Sequence, residues 1–388
     1  MRTLNSWIQS PLFISVQKKG GISVDQKEGM LWKERLRHLA LESGFAAVGF
    51  THAEPVAGLY EFLAERSAQG YHTSFEEKEL RKRVDPKAVW PACETVVVLA
   101  YPLVYSAPPQ KGEGVLARSA VGEDYHSQVK RALHQLVNSL GEAGWRGEIP
   151  QIQVDTGPLN ERALATRAGL GWLGKNQQLI IPGKGSFVAL GLMLLDKALP
   201  PDEPLAGQCG NCTRCIRACP AQILGTRHFQ ANECLSYLTQ SKEPLTERQR
   251  TALGKRIFGC DTCQEVCPHN GLRCDEEGKC SILNEIKGDR QGELRKAVLE
   301  GKEPDISGEK ALPRGVDLWD TLNLTKSQFN QQWRGTAAGW RGKGILQRNA
   351  YLALKNLQDP RLPSWEEERA GQDIPKLIQP YYSKADKE

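Results

Sequence analysis

The cysteines are the residues of this chain whose type and spacing most clearly suit chemistry. The sequence contains eleven of them, and all except Cys93 lie between Cys209 and Cys280. Such crowding indicates a site rather than scattered core thiols. Disulfides would suit a small secreted domain, but the N-terminus lacks the charged region, apolar run and cleavage site of a secretory signal. The sequence therefore predicts a cytoplasmic protein whose free thiols bind metal.

Two runs of cysteines have the spacing of bacterial two-cluster ferredoxins. They are Cys209-x2-Cys212-x2-Cys215-x3-Cys219-Pro220 and Cys260-x2-Cys263-x3-Cys267-Pro268. Ile257 stands where the second run should begin, and Cys234 is the obvious replacement. In such runs three thiolates bind one [4Fe-4S] cluster and the fourth binds its neighbour. The rule assigns one cluster to Cys209, Cys212, Cys215 and Cys267, and the other to Cys219, Cys234, Cys260 and Cys263.

Tetrahedral zinc is the alternative, because zinc sites also use paired C-x2-C motifs. A zinc site does not explain three cysteines that are each three positions apart, nor the proline that follows the last cysteine of both runs. A radical-SAM site would need C-x3-C-x2-C, and that order is absent. Cys274 and Cys280 remain as predicted loop thiols. Two clusters pass single electrons, and a ferredoxin needs only about 60 to 80 residues, so the rest of the chain must hold a substrate, another cofactor or both.

The composition describes a globular protein with room for two or three domains. Of 388 residues, 25% are charged and 40% hydrophobic, and Lys and Arg (51) barely exceed Asp and Glu (46). These numbers exclude a disordered chain and a protein that coats nucleic acid. No apolar run approaches the length of a membrane span. The basic surface is local: no acidic residue occurs between Thr321 and Gln358, where the cations are Lys326, Arg334, Arg341, Lys343, Arg348 and Lys355.

The apolar pattern predicts an α/β domain before the cysteines. An amphipathic helix from Leu31 ends at Gly44, and buried strands are expected at Phe45–Phe50 and Thr95–Ala100. Val129 to Leu140 has the spacing of one helical face. A strand at Gln151–Asp155, a helix opening near Pro158, and strands at Gln178–Ile181 and Ser186–Leu195 complete the domain. Residues 1–29 form an N-terminal extension, with Met30 an alternative start. The other predicted domains are 30–205, 206–285 (two clusters) and a helical 286–388.

Longer motifs in this order resemble those of the epoxyqueuosine reductase family. They are Gly122-Glu-Asp-Tyr-His126, Val154-Asp-Thr-Gly-Pro-Leu-Asn-Glu-Arg162, Arg167-Ala-Gly-Leu-Gly-Trp-Leu-Gly-Lys-Asn176, Thr239-Gln-Ser-Lys242 and Trp340-Arg-Gly-Lys-Gly-Ile-Leu-Gln-Arg-Asn-Ala350. The resemblance covers about residues 31–358. It implies a cobalamin-binding α/β core of the kind found in reductive dehalogenases, a ferredoxin-like two-cluster domain and a helical C-terminal region. After Leu357 the chain departs from the family, which often ends in HEAT-like repeats, so at most one such hairpin is expected.

The activity that the resemblance implies is reduction of epoxyqueuosine to queuosine in the anticodon of tRNA. Two electrons, cobalamin and a proton donor are needed, and Asp155 matches the family's donor. On the residue type alone, an Asp before Thr-Gly-Pro is more often a helix cap or turn. To donate near neutral pH, Asp155 needs a raised pKa. Tyr125 and His126 open a helix and are more readily explained by packing.

The resemblance also implies two sets of binding residues. Those that match cobalamin-lining positions are Arg83, Asp155, Lys175, Asn176, Leu179, Ser186 and Leu190, with Gly171 and Gly174 letting backbone approach the ring. Those that match substrate or tRNA contacts are Arg162, Ser236, Gln240 and Lys242, with Arg341, Lys343 and Arg348 as predicted phosphate contacts. The expected partners are the anticodon stem-loop and an unidentified electron donor, with no membrane, and the protein is expected to be a monomer.

Two other functions compete with this enzyme. A reductive dehalogenase would share cobalamin and clusters, but typically carries a twin-arginine signal, and Arg2 is the only arginine in the first 34 residues. A non-catalytic electron-transfer protein would need only the cluster domain. The basic stretch from Lys326 to Lys355 favours a polyanionic partner and argues against both.

Overall fold

The structure is a computed structural model that describes residues 24–103, 106–226, 228–270, 272–274, 280–282, 312–369 and 374–382. Its first helix begins at Val24, so it includes the last residues of the predicted extension. Residues 1–23 lie outside the described part of the chain. The backbone at Cys274 and Cys280 forms two short paired strands. The side chains of these two cysteines lie outside the described residues.

Fourteen α-helices occur in the described residues. They are α1 (Val24–Glu42), α2 (Leu59–Ala68), α3 (Leu80–Val84), α4 (Pro86–Val89), α5 (Tyr125–Glu142), α6 (Glu161–Arg167), α7 (Arg214–Ala218), α8 (Leu235–Leu238), α9 (Glu247–Leu253), α10 (Thr262–Glu265), α11 (Leu318–Leu322), α12 (Lys326–Gln332), α13 (Lys343–Asn356) and α14 (Leu362–Glu368).

The described strands are mostly short. They are β1 (Ala47–His52), β2 (Thr95–Pro102), β3 (Ser106–Ala107), β4 (Gly114–Leu116), β5 (Gln151–Gln153), β6 (Trp172–Leu173), β7 (Leu179–Ile180), β8 (Val188–Leu195), β9 (Arg256–Phe258), β10 (Leu272–Cys274), β11 (Cys280–Ile282), β12 (Leu312–Pro313) and β13 (Gly315–Val316).

A four-stranded sheet in the order β1-β2-β8-β5 forms the centre of the N-terminal part. All of its pairings are antiparallel. Strand β2 sends Val97 and Leu99 to one face and Val96 and Val98 to the other, and all four side chains are fully buried. Because successive residues of a strand point to opposite faces, a continuous apolar run requires cover on both sides. The sequence prediction of a doubly covered strand is confirmed.

Helices supply that cover. On one face α1 and α5 pack against the sheet, and Leu133 and Leu136 of α5 are fully buried, as the predicted helical stripe requires. On the other face α2 and α6 pack with Val96 and Val98. Asp124 caps α5 by accepting a hydrogen bond from the backbone N–H of His126, at 3.0 Å. This cap fixes where α5 begins, and so places Tyr125 and His126 at the edge of the sheet.

A second sheet joins all three predicted domains. Strand β4 of the N-terminal part pairs in parallel with β9 of the cysteine-rich part and antiparallel with β13 of the C-terminal part. One hydrophobic core contains Leu116, Leu238, Ile257 and Leu346, which come from the same three parts. The predicted segments are therefore packed as one body. The fold class, a mixed helix and sheet core with a thiol-rich domain and a helical C-terminal region, is confirmed.

Candidate functional site

Asp155 lies two residues beyond the end of β5, in a left-handed backbone conformation with φ of 49°. This conformation is uncommon for residues other than glycine, although Asp tolerates it better than most. The Asp155 backbone N–H donates to Glu161 Oε1 at 2.7 Å, which holds the loop against the first turn of α6. The Asp155 side chain is 58% exposed. The local structure thus leaves part of the side chain accessible to solvent while the carboxyl contacts neighbouring groups.

Three side chains from the start of α5 organise this carboxylate. Tyr125 donates its hydroxyl to Asp155 Oδ2 at 2.7 Å, and His126 Nε2 lies 3.1 Å from the same oxygen. On its other side, His126 Nδ1 lies 2.7 Å from Asp124 Oδ1. The imidazole is therefore held between two carboxylates, an arrangement that favours its charged form.

The pKa values of this network follow from these contacts. Burial alone would raise the pKa of the Asp155 carboxyl, but hydrogen bonds from His126 and Tyr125 outweigh it and hold that pKa below its ordinary value. Burial lowers the pKa of His126, yet its bonds to Asp155 and Asp124 outweigh burial and raise it. The expectation of a raised pKa for Asp155 depends on burial against the corrin and stays a prediction, while the contacts within the chain act in the opposite direction. The network therefore favours a protonated His126 next to an ionised Asp155.

Glu161 behaves in the opposite way. Its carboxyl turns inward, accepting from the Asp155 N–H and, at 3.4 Å, from the side-chain amide of Gln153. Burial and the negative charge of Asp155 raise its pKa to about 8. Two carboxyl groups on one loop thus have opposite protonation states at neutral pH. Nothing in the residue pattern distinguished Glu161, because its role depends on the turn that brings it back to Asp155.

Arginines surround the opening of this site. Arg162 is exposed on α6. Its positive charge contributes to the lowered pKa of Asp155 and partly offsets the rise in the pKa of Glu161. Arg66 pairs with Glu76, and Arg83 donates to the same carboxylate at 2.7 Å. The Arg83 carbonyl accepts from the N–H of Asn160, which caps α6. Arg66, Arg83 and Glu76 are largely buried, whereas Arg162 is an exposed cation close enough to Asp155 to lower its pKa.

The structure brings the predicted ligands of the first cluster together. Cys209, Cys212, Cys215 and Cys267 line a single cavity. Trp172 packs with Cys267 and Cys209, and its buried indole N–H has no acceptor among the described residues. An indole N–H can donate only, so the orphaned donor fits an inorganic sulfur or a thiolate of a bound cluster.

The predicted ligands of the second cluster also lie together. Burial raises the pKa of Cys234 to about 11, and the neighbouring thiols Cys260 and Cys219 contribute. Burial and the same set of thiols raise the pKa of Cys263. Within the described residues, no three His, Cys, Asp or Glu side chains converge as ligands of a single metal ion. The cavity lining and the neighbouring thiols place the eight cysteines in two groups of four, and the assignment of each to its cluster stays a prediction.

The residues predicted to line cobalamin lie mostly at the contact between the sheet domain and the cysteine loops. Lys175 Nζ donates to the carbonyls of Gly210 and Cys212 at 2.7 and 3.0 Å. Asn176 is buried against the Cys263 carbonyl, and Ser186 Oγ donates to Gln264 at 2.9 Å. Leu179 and Leu190 belong to the core beneath them.

Gly171 and Gly174 are required by packing within the chain. A Cβ on Gly171 would lie 2.1 Å from the Ile180 carbonyl oxygen, and one on Gly174 would lie 2.5 Å from Asn176 Oδ1. Both contacts are with the protein itself. The two glycines are needed for the close packing of the β6–β7 hairpin, and the expectation that they admit the corrin ring has no support here.

The residues predicted to contact tRNA form a mixed aromatic and basic surface. Arg341 donates to the Gln240 carbonyl at 2.9 Å, and its guanidinium lies 5.1 Å from the Phe75 ring centre and 4.8 Å from that of Trp340. Gln240 accepts from the Trp340 indole and donates to the Ser236 carbonyl. Lys242 is exposed nearby in sequence. The sequence did not predict Phe75 and Trp340 as tRNA contacts, and these two residues are 40% and 54% exposed.

Arg348 and Lys343 are both predicted to contact phosphate, but in the structure Arg348 is buried and Lys343 is half-buried. Arg348 is 1% exposed and donates to the carbonyls of Ser241 and Leu238 and to the Asn349 side chain. Its guanidinium fastens α13 to the cysteine-rich part, so the predicted phosphate contact is corrected to a structural one. Lys343 is half-buried and donates to the Leu324 carbonyl at 3.1 Å.

Comparisons with known proteins agree with this arrangement. A family model described as epoxyqueuosine reductase QueG, DUF1730, matches residues 83–156, and one described as a 4Fe-4S double cluster binding domain matches residues 208–270. The chain is 34% identical over 352 residues to the epoxyqueuosine reductase of Staphylococcus aureus, covering 88% of this chain and 83% of the relative. The chain belongs to the epoxyqueuosine reductase family.

Solved structures of family members have the same fold. An epoxyqueuosine reductase from Streptococcus thermophilus matches with a TM-score of 0.72 at 31% identity, covering 87% of this chain and 85% of that one. An epoxyqueuosine reductase solved with an epoxyqueuosine-modified tRNA-Tyr stem loop matches with a TM-score of 0.75 at 30% identity, covering 90% and 88%. The double-cluster match decides between iron–sulfur and zinc in favour of two [4Fe-4S] clusters.

Proposed function

We propose that this protein reduces epoxyqueuosine in tRNA to queuosine. Family membership over most of the chain carries the proposal, and the stem-loop bound in one relative supports tRNA as the substrate. Converting an epoxide to an alkene consumes two electrons and two protons, and the oxygen leaves as water. The chain must therefore supply electrons, hold the modified base and deliver a proton to the departing oxygen.

The two thiol groups and the contact around Lys175 support the proposed cofactors. The clusters would be held by the eight thiols and supply electrons one at a time. Cobalamin would be held by Arg83, Asp155, Lys175, Asn176, Leu179, Ser186 and Leu190, and when bound it supplies a cobalt centre that engages carbon. Lys175, Asn176 and Ser186 bond directly to the cysteine-rich segment, which places these proposed cobalamin residues beside the cluster thiols.

Asp155 and His126 are the proposed proton donors. His126 lies 3.1 Å from Asp155 Oδ2, and its bonds to Asp155 and Asp124 raise its pKa and so favour its protonated form. When negative charge develops on the departing oxygen, His126 Nε2 can give its proton to Asp155 Oδ2, and Asp155 can deliver that proton to the oxygen. Tyr125 holds the carboxylate in position through its hydroxyl. The expected role of Asp155 thus becomes that of a relay whose proton store is the imidazole.

The aromatic and basic surface around Arg341 is the proposed contact for the anticodon loop. Unpaired bases stack on aromatic rings and on guanidinium planes, while phosphates pair with cations. Phe75, Trp340, Arg341 and Lys242 supply all three kinds of group. Phe75 is next in sequence to Glu76, the partner of Arg66 and Arg83.

The remaining proposals concern the setting of the reaction. The protein is proposed to act as a cytoplasmic monomer that receives electrons from a separate donor. Crowded free thiols need a reducing compartment. No described helix has both the length and the apolar character to cross a bilayer.

A single-turnover assay tests the proposal. Protein reconstituted with iron, sulfide and cobalamin is mixed with epoxyqueuosine-containing tRNA and a strong reductant, and the nucleosides are then separated and identified by mass. Queuosine should form only when cobalamin is present. Asp155→Asn keeps the shape of the side chain but cannot carry the proton, so its rate should fall by ~10² to 10⁴.

Glu142→Gln, an exposed change at the end of α5, is the matched control and should turn over at the parent rate. No queuosine from the fully reconstituted parent would refute the proposed function. A parent that instead removes halide from an aryl halide, or that only passes electrons, would support the competing functions. Turnover of Asp155→Asn within twofold of the parent would remove Asp155 from the mechanism.

A further inference from the structure

Arg256 contacts a predicted ligand of the second cluster. It is the first residue of β9, and its Nε donates to Cys260 Sγ at 3.2 Å. Thr262 Oγ1 lies 3.4 Å from the same sulfur and accepts from Arg256 Nη2 at 2.7 Å. An arginine, a threonine hydroxyl and a thiol thus meet at one point.

The guanidinium is fixed in this position by other hydrogen bonds. Its Nη1 donates to the Leu253 and Ala252 carbonyls at the end of α9, at 3.1 and 3.4 Å. Strand pairing between β9 and β4 fixes the backbone of Arg256. No described carboxylate forms an ion pair with Arg256, so its charge is not neutralised by a neighbouring acid. The half-buried cation is therefore directed at the sulfur by its surroundings.

We propose that Arg256 sets the reduction potential of the second [4Fe-4S] cluster by donating a charge-assisted hydrogen bond to the thiolate of Cys260. Adding one electron makes the cluster more negative and forms or breaks no bond. A cation that donates to a ligand sulfur stabilises the more negative state, so it raises the potential. Arg256 thereby makes the second cluster easier to reduce than the same cluster would be without it.

The inference rests on the double-cluster match and not on the proposed activity toward tRNA. Its measurement is a redox titration of the reconstituted protein, followed by electron paramagnetic resonance of the reduced clusters. In Arg256→Gln the potential of one cluster should fall. The ratio of reduced to oxidised cluster at a fixed potential should drop about tenfold, which is about 59 mV for a one-electron couple. The other cluster should keep its parent potential.

Matched variants separate this effect from loss of charge or of structure. Arg248→Gln removes one positive charge from an exposed position on α9 and should leave both potentials unchanged. Arg256→Lys keeps the charge but not the planar fork, so its potential should lie between those of the parent and Arg256→Gln. Thr262→Val removes only the hydroxyl that accepts from Arg256 and should shift the same cluster by a smaller amount.

Iron content checks assembly, since two full clusters hold about eight irons. If Arg256→Gln binds less iron than the parent, the proposal is tested instead by the potential of the second cluster in Arg256→Lys and Thr262→Val, which should again fall below the parent value. Parent potentials in every fully loaded variant would overturn the proposal and leave Arg256 as a cap for α9. An equal shift in Arg248→Gln would also overturn it, because net charge alone would then explain the change.

Discussion

Asp155 and Glu161 are both carboxylic acids on one loop, and the structure drives their pKa values apart. Asp155 receives hydrogen bonds from His126 and Tyr125, whereas Glu161 is buried beside the charge of Asp155. Pairs of titratable groups with opposite shifts are typical of sites that move protons. The neutral Glu161 keeps the Asp155 loop in place without adding a second negative charge.

The raised pKa of Glu161 has a consequence for stability. Its ordinary pKa is 4.5, and in the fold it is about 8. The protonated form is favoured by the fold, so the native state loses stability as pH rises from about 4.5 to about 8, and no further above that. Glu161→Gln cannot ionise and still offers an oxygen to the Asp155 N–H. We expect its Tm to exceed that of the parent increasingly from pH 5 to pH 8.

Thermal unfolding at pH 5, 7 and 9 measures this difference, with clusters loaded equally in both proteins. The gap between the two Tm values should be small at pH 5 and should level off above pH 8. Glu142→Gln, which changes an exposed acid, should track the parent at all three pH values. A constant gap across the range would show that Glu161 titrates normally.

Cys234 tests the predicted division of the thiols. It lies outside both cysteine runs, but the structure places it with Cys219, Cys260 and Cys263. Cys234→Ala should lose the second cluster and retain about four irons per chain. Cys93→Ser, a buried thiol of the sheet domain, should keep the parent content. Iron and sulfide analysis of reconstituted protein gives both values, and equal iron in Cys234→Ala and the parent would exclude Cys234 as a ligand.

Residue spacing could predict the thiols but not the network at Asp155. Ligands of a cluster come at fixed short separations along the chain, so Cys209 to Cys219 could be recognised directly. Tyr125 and His126 are about thirty positions from Asp155, and only the antiparallel order of the sheet and the cap at Asp124 bring them together. A pattern of residue types carries no information about such a contact.

Among the elements, apolar periodicity predicted α5 more accurately than α6, the helix that carries Glu161 and Arg162. Val129 to Leu140 lies within α5 as expected. The sequence predicts that α6 begins near Pro158. In the structure α6 begins at Glu161, because the Asn160 side chain accepts a hydrogen bond from the Ala163 N–H and forms the cap. Pro158, Leu159 and Asn160 belong to the loop that returns Glu161 to Asp155.

Helix α13 shows the same limit for charged residues. Arg348 follows a basic pattern in the sequence, but in the structure it is buried and bonded to carbonyls of the cysteine-rich part. Arg348→Met should leave those carbonyls without donors, at a cost of ~1 to 3 kcal/mol for each unsatisfied group. We therefore expect a lower Tm. Arg341→Met, at a half-exposed position, should lower it less.

Thermal unfolding of the two variants side by side measures the contrast, and tRNA binding provides the second reading. Arg341→Met should weaken tRNA binding with little change in Tm, whereas Arg348→Met should do the reverse when assayed well below its Tm. A normal Tm together with lost tRNA affinity in Arg348→Met would restore the phosphate contact that the sequence suggested.

At the scale of the whole molecule, the C-terminal region is held against both other parts. Arg314 pairs with Glu265 at 2.6 Å and with Asp261 at 3.6 Å, and Asp261 accepts from the Arg118 N–H. The core around Ile257 and Leu346 is continuous across the same contact. Changes in composition along the chain suggested separate domains, because composition reflects loops and charged segments. Packing between segments that are distant in sequence does not change the composition of either segment.

This rigid arrangement fixes the basic surface relative to the Asp155 site, which leads to a prediction for the proposed tRNA partner. Every phosphate that a cation neutralises releases counterions, so affinity falls steeply with salt, and each lost contact reduces the log–log slope by roughly 0.7 to 0.9. Lys242→Ala with Arg341→Ala should weaken tRNA binding and reduce that slope while both clusters assemble normally. Lys27→Ala with Lys197→Ala removes the same charge from exposed positions elsewhere and should change neither. Titrations of the stem loop at several salt concentrations measure both quantities. Parent affinity and slope in the Lys242 and Arg341 variant would show that this surface is merely solvated and that tRNA binds elsewhere.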